Sequence, residues 1–323
     1  MPDLAFESAL REQLHGFIEF KETCSGKVGR TRRWHMRSFD RYCAEHGFAS
    51  CCREAVEGWG ARIEETQKCP VRSWLSNIRE FARYLRANGC ADAYIAPDSY
   101  KTRRYRPKPY LFTEDELAAF FDSAANLETR RGPWAWQAPA YFGLMHSCGL
   151  RTCEVRGLTT AAVDLSAQRI DIVGSKGGSE RRLPITSEVA ALLEECGWNT
   201  SRFLGTGGER PFFVSRNGNP IDPRSSGCMF RKAWSQAGLP YDAGGKHPRA
   251  YDLRHHFAYA NIERWAAEGL DVNAMLPYLS RYMGHADIRT TLYYIHTSPD
   301  FMSAFAGVLR QCEALLPEVG FDA

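Results

Sequence analysis

The sequence predicts a mostly α-helical protein of two domains, with a small antiparallel β-sheet in the second domain. Apolar residues recur at helical spacing over most of the 323 residues, and strict alternation replaces that spacing only between residues 162 and 185. A segment rich in proline and basic residues separates the two parts. A chain of this length exceeds one typical domain, which agrees with the division.

The N-terminal part, residues 1–96, is expected to form a bundle of four short helices. The first helix spans residues 1 to about 23, the second ends near Gly47, and a weaker third covers residues 53–67. Each is recognised by apolar residues three or four positions apart. In the fourth and clearest helix, which stops at Asn88-Gly89, these residues are Val71, Trp74, Leu75, Ile78, Phe81 and Leu85.

Residues 97–112 are interpreted as a linker between the domains, because they contain three prolines and a dense group of cations. The cations are Lys101, Arg103, Arg104, Arg106 and Lys108, with Tyr105 among them. Concentrated positive charge beside an aromatic ring suits a nucleic-acid backbone. A solvated, flexible linker would explain the same composition equally well.

The second domain begins at residue 113 and continues to residue 323. A capping box at Thr113 and Glu116 starts its first helix, and a second helix covers about residues 134–147. Alternating runs at 162–165, 169–173 and 181–185 predict a three-stranded antiparallel sheet. The remaining helices are expected over 186–196, 224–237, 251–268 and 272–283, with an amphipathic tail helix from Pro299 onward.

Composition excludes several other classes of protein. The apolar runs are too short to span a membrane, and the first residues lack a secretory leader, so a cytoplasmic protein is expected. The eleven cysteines are odd in number and are expected to be reduced rather than paired in disulfides. The stretch Gly205-Thr-Gly-Gly-Glu lacks the lysine of a P-loop, so neither a nucleotide cofactor nor a metal is expected.

Chemistry concentrates in the last fifth of the chain, where Arg254, His285 and Tyr294 follow one another on neighbouring predicted helices. An arginine can hold a phosphate with two hydrogen bonds, a histidine can share a proton, and a tyrosine can attack covalently. Together these residue types indicate phosphoryl transfer through a protein-bound phosphotyrosine.

Five short motifs occur in order along the chain: Gly-Leu-Arg151-Thr-Cys-Glu154-Val, Lys176-Gly, Leu-Arg254-His-His-Phe-Ala, Gly-His285 and Tyr294. In this order and spacing they resemble the tyrosine recombinase (phage integrase) family. The resemblance covers the whole chain. It implies a helical, SAM-like core-binding DNA-binding domain over residues 1–96, a basic linker over 97–112, and a catalytic domain with a tail helix over 113–323.

The resemblance also implies roles for the charged residues. Arg151 and Arg254 would clamp the non-bridging oxygens of the scissile phosphate, where negative charge accumulates in the transition state. Glu154 would support the site from behind these arginines. Lys176, at a glycine-flanked hairpin tip, would protonate the leaving 5′ oxygen.

The family likewise implies that His285 donates a hydrogen bond to the scissile phosphate and that Tyr294 is the nucleophile. Tyr293 lies beside it, but the interval of nine residues after His285 selects Tyr294. Tyr293 stands where the family has an apolar residue, so packing in the core is its expected role.

One position departs from the family pattern. Three residues before the second arginine the family usually has histidine, and this chain has Tyr251. A tyrosine can hydrogen-bond a phosphate, but it is a poor base at neutral pH. The hypothesis is that Tyr251 occupies this site, and that His285, His247 or water acts as the base.

The function implied is that of a site-specific recombinase or integrase that breaks and rejoins DNA, belongs to a mobile genetic element such as a phage or transposon, and acts in the bacterial cytosol at the nucleoid. Its implied partners are double-stranded recombination sites, three further copies of the chain in a homotetramer, and accessory or directionality proteins. Two alternatives remain open: a type IB topoisomerase that relaxes supercoils, and a DNA-binding relative with impaired catalysis.

Overall fold

The computed structural model of the chain describes residues 5–25, 28–67, 71–97, 109–127, 132–174, 180–205, 208–242, 247–288 and 290–291. Over these ranges the predicted fold class is confirmed, because the elements are mostly helices and the strands form one antiparallel sheet of three. The chain divides into two units, Met1–Arg106 and Pro107–Ala323. None of the helices within the described ranges is long and apolar enough to cross a membrane.

Over its described residues, the first unit contains four helices: α1 (Arg11–Ser25), α2 (Arg30–His46), α3 (Arg53–Gln67) and α4 (Arg72–Ala87). Each turns an apolar face inward, and the four faces form one core. Trp59 of α3 lies at its centre, with ring centroids 5.4 Å from Phe39 of α2 and 5.6 Å from Trp74 of α4. Aromatic side chains of this size contribute most of the apolar area that such a small bundle buries.

The first helix begins later than the sequence analysis predicts. It starts at Arg11, and residues 5–10 are not helical. The backbone N–H groups of Glu7 and Ser8 donate to the buried carboxylate of Asp40, at 2.7 and 3.1 Å. Because this long-range acceptor satisfies N–H groups that have no partner within a helix here, the non-helical start is stable, and apolar spacing alone cannot reveal it.

The second unit contains seven helices and three strands in the described ranges. In chain order they are α5 (Glu114–Ala125), α6 (Trp134–Ser147), α7 (Thr152–Gly157), β1 (Val163–Asp164), β2 (Arg169–Ile172), β3 (Arg181–Pro184), α8 (Ser187–Leu204), α9 (Pro223–Gln236), α10 (Ala250–Ala267) and α11 (Val272–Tyr282). A single 3-10 turn, Thr160–Ala162, precedes β1. The predicted tail helix lies outside the described residues.

The sheet has the order β1-β2-β3, and both pairings are antiparallel. Ile170 of β2 stands opposite Leu183 of β3, and both side chains are buried. Because successive strand residues face opposite sides, Arg182 next to Leu183 faces solvent. The predicted alternation is therefore confirmed. The face of the sheet that carries Ile170 and Leu183 packs on the helical core.

Helix α8 is longer than predicted. The glycine at position 197 suggests an end near Cys196, but the helix continues to Leu204. Thr200 explains the continuation, because it is fully buried and accepts a hydrogen bond of 3.1 Å from the Trp136 indole. Packing of this last turn against α6 outweighs the helix-propensity cost of about 1 kcal/mol for one glycine.

Helix α6 is central to the second unit and packs against α5, α8 and α10. Its side chains Tyr141, Phe142, Leu144 and Met145 have no exposed surface. The chain leaves α6 through Gly149 and Leu150 and enters α7 at Arg151. Since α10 packs directly on α6, this exit lies beside α10, where the Gly149 carbonyl accepts a hydrogen bond from Arg254.

Candidate active site

The backbone at Gly149 lies close to Phe257 of α10, and this allows the chain to leave α6 next to α10. Its φ of +60° lies in the left-handed region, and a Cβ placed there would lie 2.4 Å from the Phe257 ring. Only glycine adopts this conformation at that distance without strain. The following residues then turn into α7, with Arg151 as its N-terminal cap.

Glu154 is the acceptor that two arginines of the site share. Its carboxylate, only 1% exposed, accepts hydrogen bonds from the Arg151 backbone at 2.9 Å and from Arg151 Nη1 at 2.8 Å. Arg181 donates two further hydrogen bonds, at 3.1 and 3.0 Å. Burial disfavours the charged form, but the hydrogen bonds from these arginines hold the pKa of Glu154 below its usual value.

Arg254 lies on α10, and its side chain has no exposed surface. Its guanidinium donates to the backbone carbonyl of Gly149 and, at 2.8 Å, to that of Met283. Its Nη1 lies 3.8 Å from Glu154 Oε2, beyond hydrogen-bond distance but within range of electrostatic attraction. Two carbonyls and one carboxylate thus hold a buried cation that would otherwise be costly.

His285 follows the end of α11, where Gly284 adopts a φ of +67°. The His285 backbone N–H reaches back to the Ser280 carbonyl at 2.9 Å, a common way of closing a helix. This turn directs the His285 ring at Arg254, with 2.7 Å between Nε2 and Nη2. On the other side, Nδ1 lies 2.8 Å from Thr291 Oγ1.

The protonation state of His285 follows from these contacts. A guanidinium can only donate, so Nε2 of His285 accepts the hydrogen bond from Arg254, and Nδ1–H donates to Thr291. Burial, together with the neighbouring Arg254 and Arg151 charges, lowers the pKa of His285 to about 3. The ring is therefore neutral, and its basic nitrogen is occupied by Arg254.

Tyr251 precedes Arg254 by one turn of α10. Its side chain is 37% exposed, and its ring meets the His255 ring edge-on at 5.0 Å. His247, the other residue considered as a base, is exposed and stacks on Tyr241 at 5.0 Å. The structure therefore brings Arg151, Arg254 and His285 around Glu154, whereas Tyr251 contacts His255 and His247 contacts Tyr241.

Several predicted site residues lie outside the described ranges. These are Lys176, Tyr294 and the linker cations Lys101, Arg103, Arg104, Arg106 and Lys108. Their assignments remain predictions from the sequence.

Two further residues of the site were missed in the sequence analysis. Arg181, on β3, donates to Glu154 as described above, and Thr291 orients His285. The sequence places Arg181 at the start of a predicted strand. Arginine is usually exposed, however, so this position alone does not indicate a site residue. Nothing in the sequence distinguishes Thr291.

The arrangement suits an anion. Three guanidinium groups share one carboxylate and one neutral histidine, which leaves a surplus of two positive charges. The side chain of Arg151 is 22% exposed, so a ligand can reach it. In the described ranges no group of three or more histidine, cysteine or acidic side chains could hold a metal ion.

The sequence profile of the phage integrase family matches residues 111–300, which is more than half of the chain. The chain belongs to the phage integrase family. Members of this family are tyrosine recombinases, enzymes that cleave and rejoin DNA. The match begins just before α5 and extends past His285, so it contains Arg151, Glu154, Arg181 and Arg254.

Curated members of the phage integrase family cover most of the chain at modest identity. The integrase/recombinase y4rB of Sinorhizobium fredii is 28% identical over 302 residues, which are 91% of this chain and 95% of that protein. The tyrosine recombinase XerC of Pseudomonas putida is 27% identical over 268 residues, covering 81% of this chain and 83% of XerC.

Solved structures of other recombinases have the same fold. The XerH site-specific recombinase bound to its difH substrate has a TM-score of 0.63 at 16% identity, covering 94% of this chain and 85% of XerH. The Tn1549 transposon integrase, in complex with transposon right end DNA, has a TM-score of 0.62 at 18% identity, covering 92% of this chain and 98% of that structure.

Proposed function

We propose that this member of the phage integrase family is a site-specific recombinase that cuts and rejoins double-stranded DNA through a 3′-phosphotyrosine intermediate. The observation that carries the proposal is the convergence of Arg151 and Arg254 with His285 around the buried Glu154. A phosphoryl group in transfer accumulates negative charge on its non-bridging oxygens. Fixed guanidinium groups in a partly buried site stabilise that charge without reorganising.

The reaction we propose begins with attack of the Tyr294 phenolic oxygen on the scissile phosphorus. A bond forms between that oxygen and phosphorus, and the bond from phosphorus to the 5′ oxygen breaks. Lys176 supplies a proton to the departing 5′ oxygen, and the phenol loses its own proton to a base. A 5′ hydroxyl of the partner strand then reverses the attack, so the phosphodiester is restored without hydrolysis.

His285 changes its partner in this scheme. Before DNA binds, its Nε2 accepts a hydrogen bond from Arg254. A scissile phosphate that takes up the Arg254 N–H groups releases Nε2, and the added negative charge raises the pKa of the ring. His285 can then accept the tyrosine proton and, once charged, donate to the phosphate. We therefore favour His285 over His247 as the base, with Tyr251 as a phosphate or nucleophile contact.

The partners we propose are recombination sites in duplex DNA and further copies of the chain in a homotetramer, with accessory or directionality proteins. A lambda integrase tetramer bound to a Holliday junction has a TM-score of 0.61 at 13% identity, covering 88% of this chain and 76% of that structure. Linker cations from Lys101 to Lys108 would contact phosphates. A mobile-element origin is part of the proposal, because the integrase of the Tn1549 transposon is among the proteins that share the fold.

The test is a suicide substrate, in which a nick beside the scissile phosphate lets the cleaved fragment diffuse away and traps the covalent complex. Wild type should carry a 5′-labelled strand into a slow band on a denaturing gel, whereas Tyr294→Phe should not. Tyr293→Phe is the matched control and should still form the adduct. An adduct that persists in Tyr294→Phe but vanishes in Tyr293→Phe would overturn the assignment of the nucleophile.

A second assay separates the proposal from its rivals. Efficient relaxation of supercoiled plasmid that lacks a cognate site would favour a type IB topoisomerase. Binding of DNA with no adduct in any variant would favour a relative that has lost catalysis.

A further inference from the structure

We propose that Arg181 is a positioning residue of the active site, which fills the remaining acceptor sites of the Glu154 carboxylate so that Arg254 remains available to the scissile phosphate. The inference rests on the proposed function, because it assigns Arg181 a part in the same reaction. It concerns a residue whose effect is transmitted through Glu154 and through the end of α11.

Arg181 makes three directed hydrogen bonds from a nearly buried position. It is the first residue of β3, and its side chain is 9% exposed. Its Nη1 and Nη2 donate to the two oxygens of Glu154, at 3.1 and 3.0 Å. Its Nε donates to the Tyr282 carbonyl at 2.7 Å, at the last residue of α11 and three residues before His285.

The hydrogen bonds to Glu154 fill its acceptor capacity. A carboxylate offers about four lone-pair sites. Arg151 occupies one on each oxygen, through its backbone N–H and its Nη1, and Arg181 occupies the other two. Arg254 consequently stays 3.8 Å away and bonds instead to backbone carbonyls and to His285.

Loss of Arg181 would change which groups hydrogen-bond to Glu154. Two acceptor sites on the buried carboxylate would open, one of them on Oε2, which lies 3.8 Å from Arg254 Nη1. Opposite charges in a partly desolvated site attract strongly, so Arg254 would move toward Glu154 and away from the phosphate. The end of α11, which carries Gly284 and His285, would lose its connection to β3 at the same time.

Arg182 is a matched control on the same strand. It also holds an acidic partner with two hydrogen bonds, from Nε and Nη2 to Asp171 at 2.7 and 3.0 Å. Its side chain, however, is 61% exposed and points away from the core, as strand alternation requires. Replacing Arg182 removes an arginine–carboxylate pair from β3 without touching Glu154.

The experiment measures single-turnover cleavage of the suicide substrate at saturating DNA, together with the dissociation constant for DNA and the melting temperature. Arg181→Ala should cleave about a hundredfold more slowly, the loss typical of a displaced catalytic group, while DNA affinity stays near that of wild type. Arg182→Ala should cleave at the wild-type rate. Arg181→Lys keeps the buried charge and the fold, but one ammonium cannot hold both Glu154 oxygens and the Tyr282 carbonyl, so its rate should also fall.

Two readouts distinguish positioning from a merely structural role. On a substrate whose scissile phosphate is replaced by an uncharged methylphosphonate, the difference between wild type and Arg181→Lys should shrink, because charge stabilisation by the arginines matters less. In the Glu154→Gln background the effect of the Arg181 change on the rate should largely disappear, because both changes act through one carboxylate.

A wild-type rate for Arg181→Lys, an undiminished loss on the methylphosphonate, or additive losses with Glu154→Gln would each overturn the role of Arg181. These outcomes are distinct from failure of the proposed function, in which wild type itself would form no adduct dependent on Tyr294.

Discussion

Gly149→Ala tests the close approach on which the site depends. Two costs add in this variant. A φ of +60° imposes roughly 1–2 kcal/mol on any residue with a Cβ. The new methyl would also lie 2.4 Å from Cδ1 and 2.9 Å from Cε1 of Phe257, and overpacking of this kind costs about 1–3 kcal/mol.

The expected loss of unfolding free energy is therefore roughly 2–5 kcal/mol, a large part of the 5–15 kcal/mol typical of a domain. Urea denaturation followed by circular dichroism measures it. Gly157→Ala is the control, because this helical glycine has open space around its Cβ position and no positive φ. It should be neutral or stabilise by up to about 1 kcal/mol.

A second background separates the two costs. In Phe257→Ala the ring is absent, so the added cost of Gly149→Ala should fall to the backbone part of about 1–2 kcal/mol. The reasoning would be refuted if Gly149→Ala destabilised the wild-type protein by less than about 0.5 kcal/mol, or if its cost were the same in both backgrounds.

Three further predictions concern other parts of the molecule. Burial lowers the pKa of His146 and His255 to about 4 and that of His285 to about 3, so the unfolded chain binds more protons than the folded chain below pH 6.5. The free energy of unfolding, measured by urea denaturation, should be highest above that pH and should fall as the pH drops toward 4. A free energy that stays constant over this range would contradict the prediction. Asp40→Ala should destabilise the protein by roughly 2–4 kcal/mol, because two backbone N–H groups lose their buried acceptor. If the melting temperature changes no more than it does for a substitution at an exposed position, water has replaced the carboxylate as the acceptor. Thr291→Val preserves the shape of the side chain but removes the acceptor of the His285 Nδ1–H. Single-turnover cleavage should slow by up to about tenfold, as the loss of one such hydrogen bond implies. An unchanged rate would show that Thr291 does not orient the His285 ring.

Local patterns in the sequence were sufficient to predict most elements of the fold. The capping box at Thr113 is confirmed, with the Thr113 backbone N–H donating to the Glu116 carboxylate at 2.9 Å. The three alternating runs are confirmed as one antiparallel sheet. The two boundary errors, at α1 and α8, share one cause. In each case a residue distant along the chain, Asp40 or Trp136, decides by its hydrogen bonds where the helix begins or ends.

By itself, the sequence determined the helical faces, the alternation of the strands, the family resemblance, and the identity of Arg151, Glu154, Arg254 and His285 as candidate site residues. Motif and spacing are local properties, and they suffice for these conclusions. The roles of Lys176, Tyr294 and Tyr251 stay predictions.

Only the tertiary structure decided how the site is held together. Arg151 reaches the Gly284 carbonyl across 133 positions of the chain, and Arg254 reaches that of Gly149 across 105. The neutral state of His285, the saturation of Glu154 and the part taken by Arg181 all follow from such contacts. Hydrogen bonds and burial depend on distances in space, and no spacing along the chain specifies those distances.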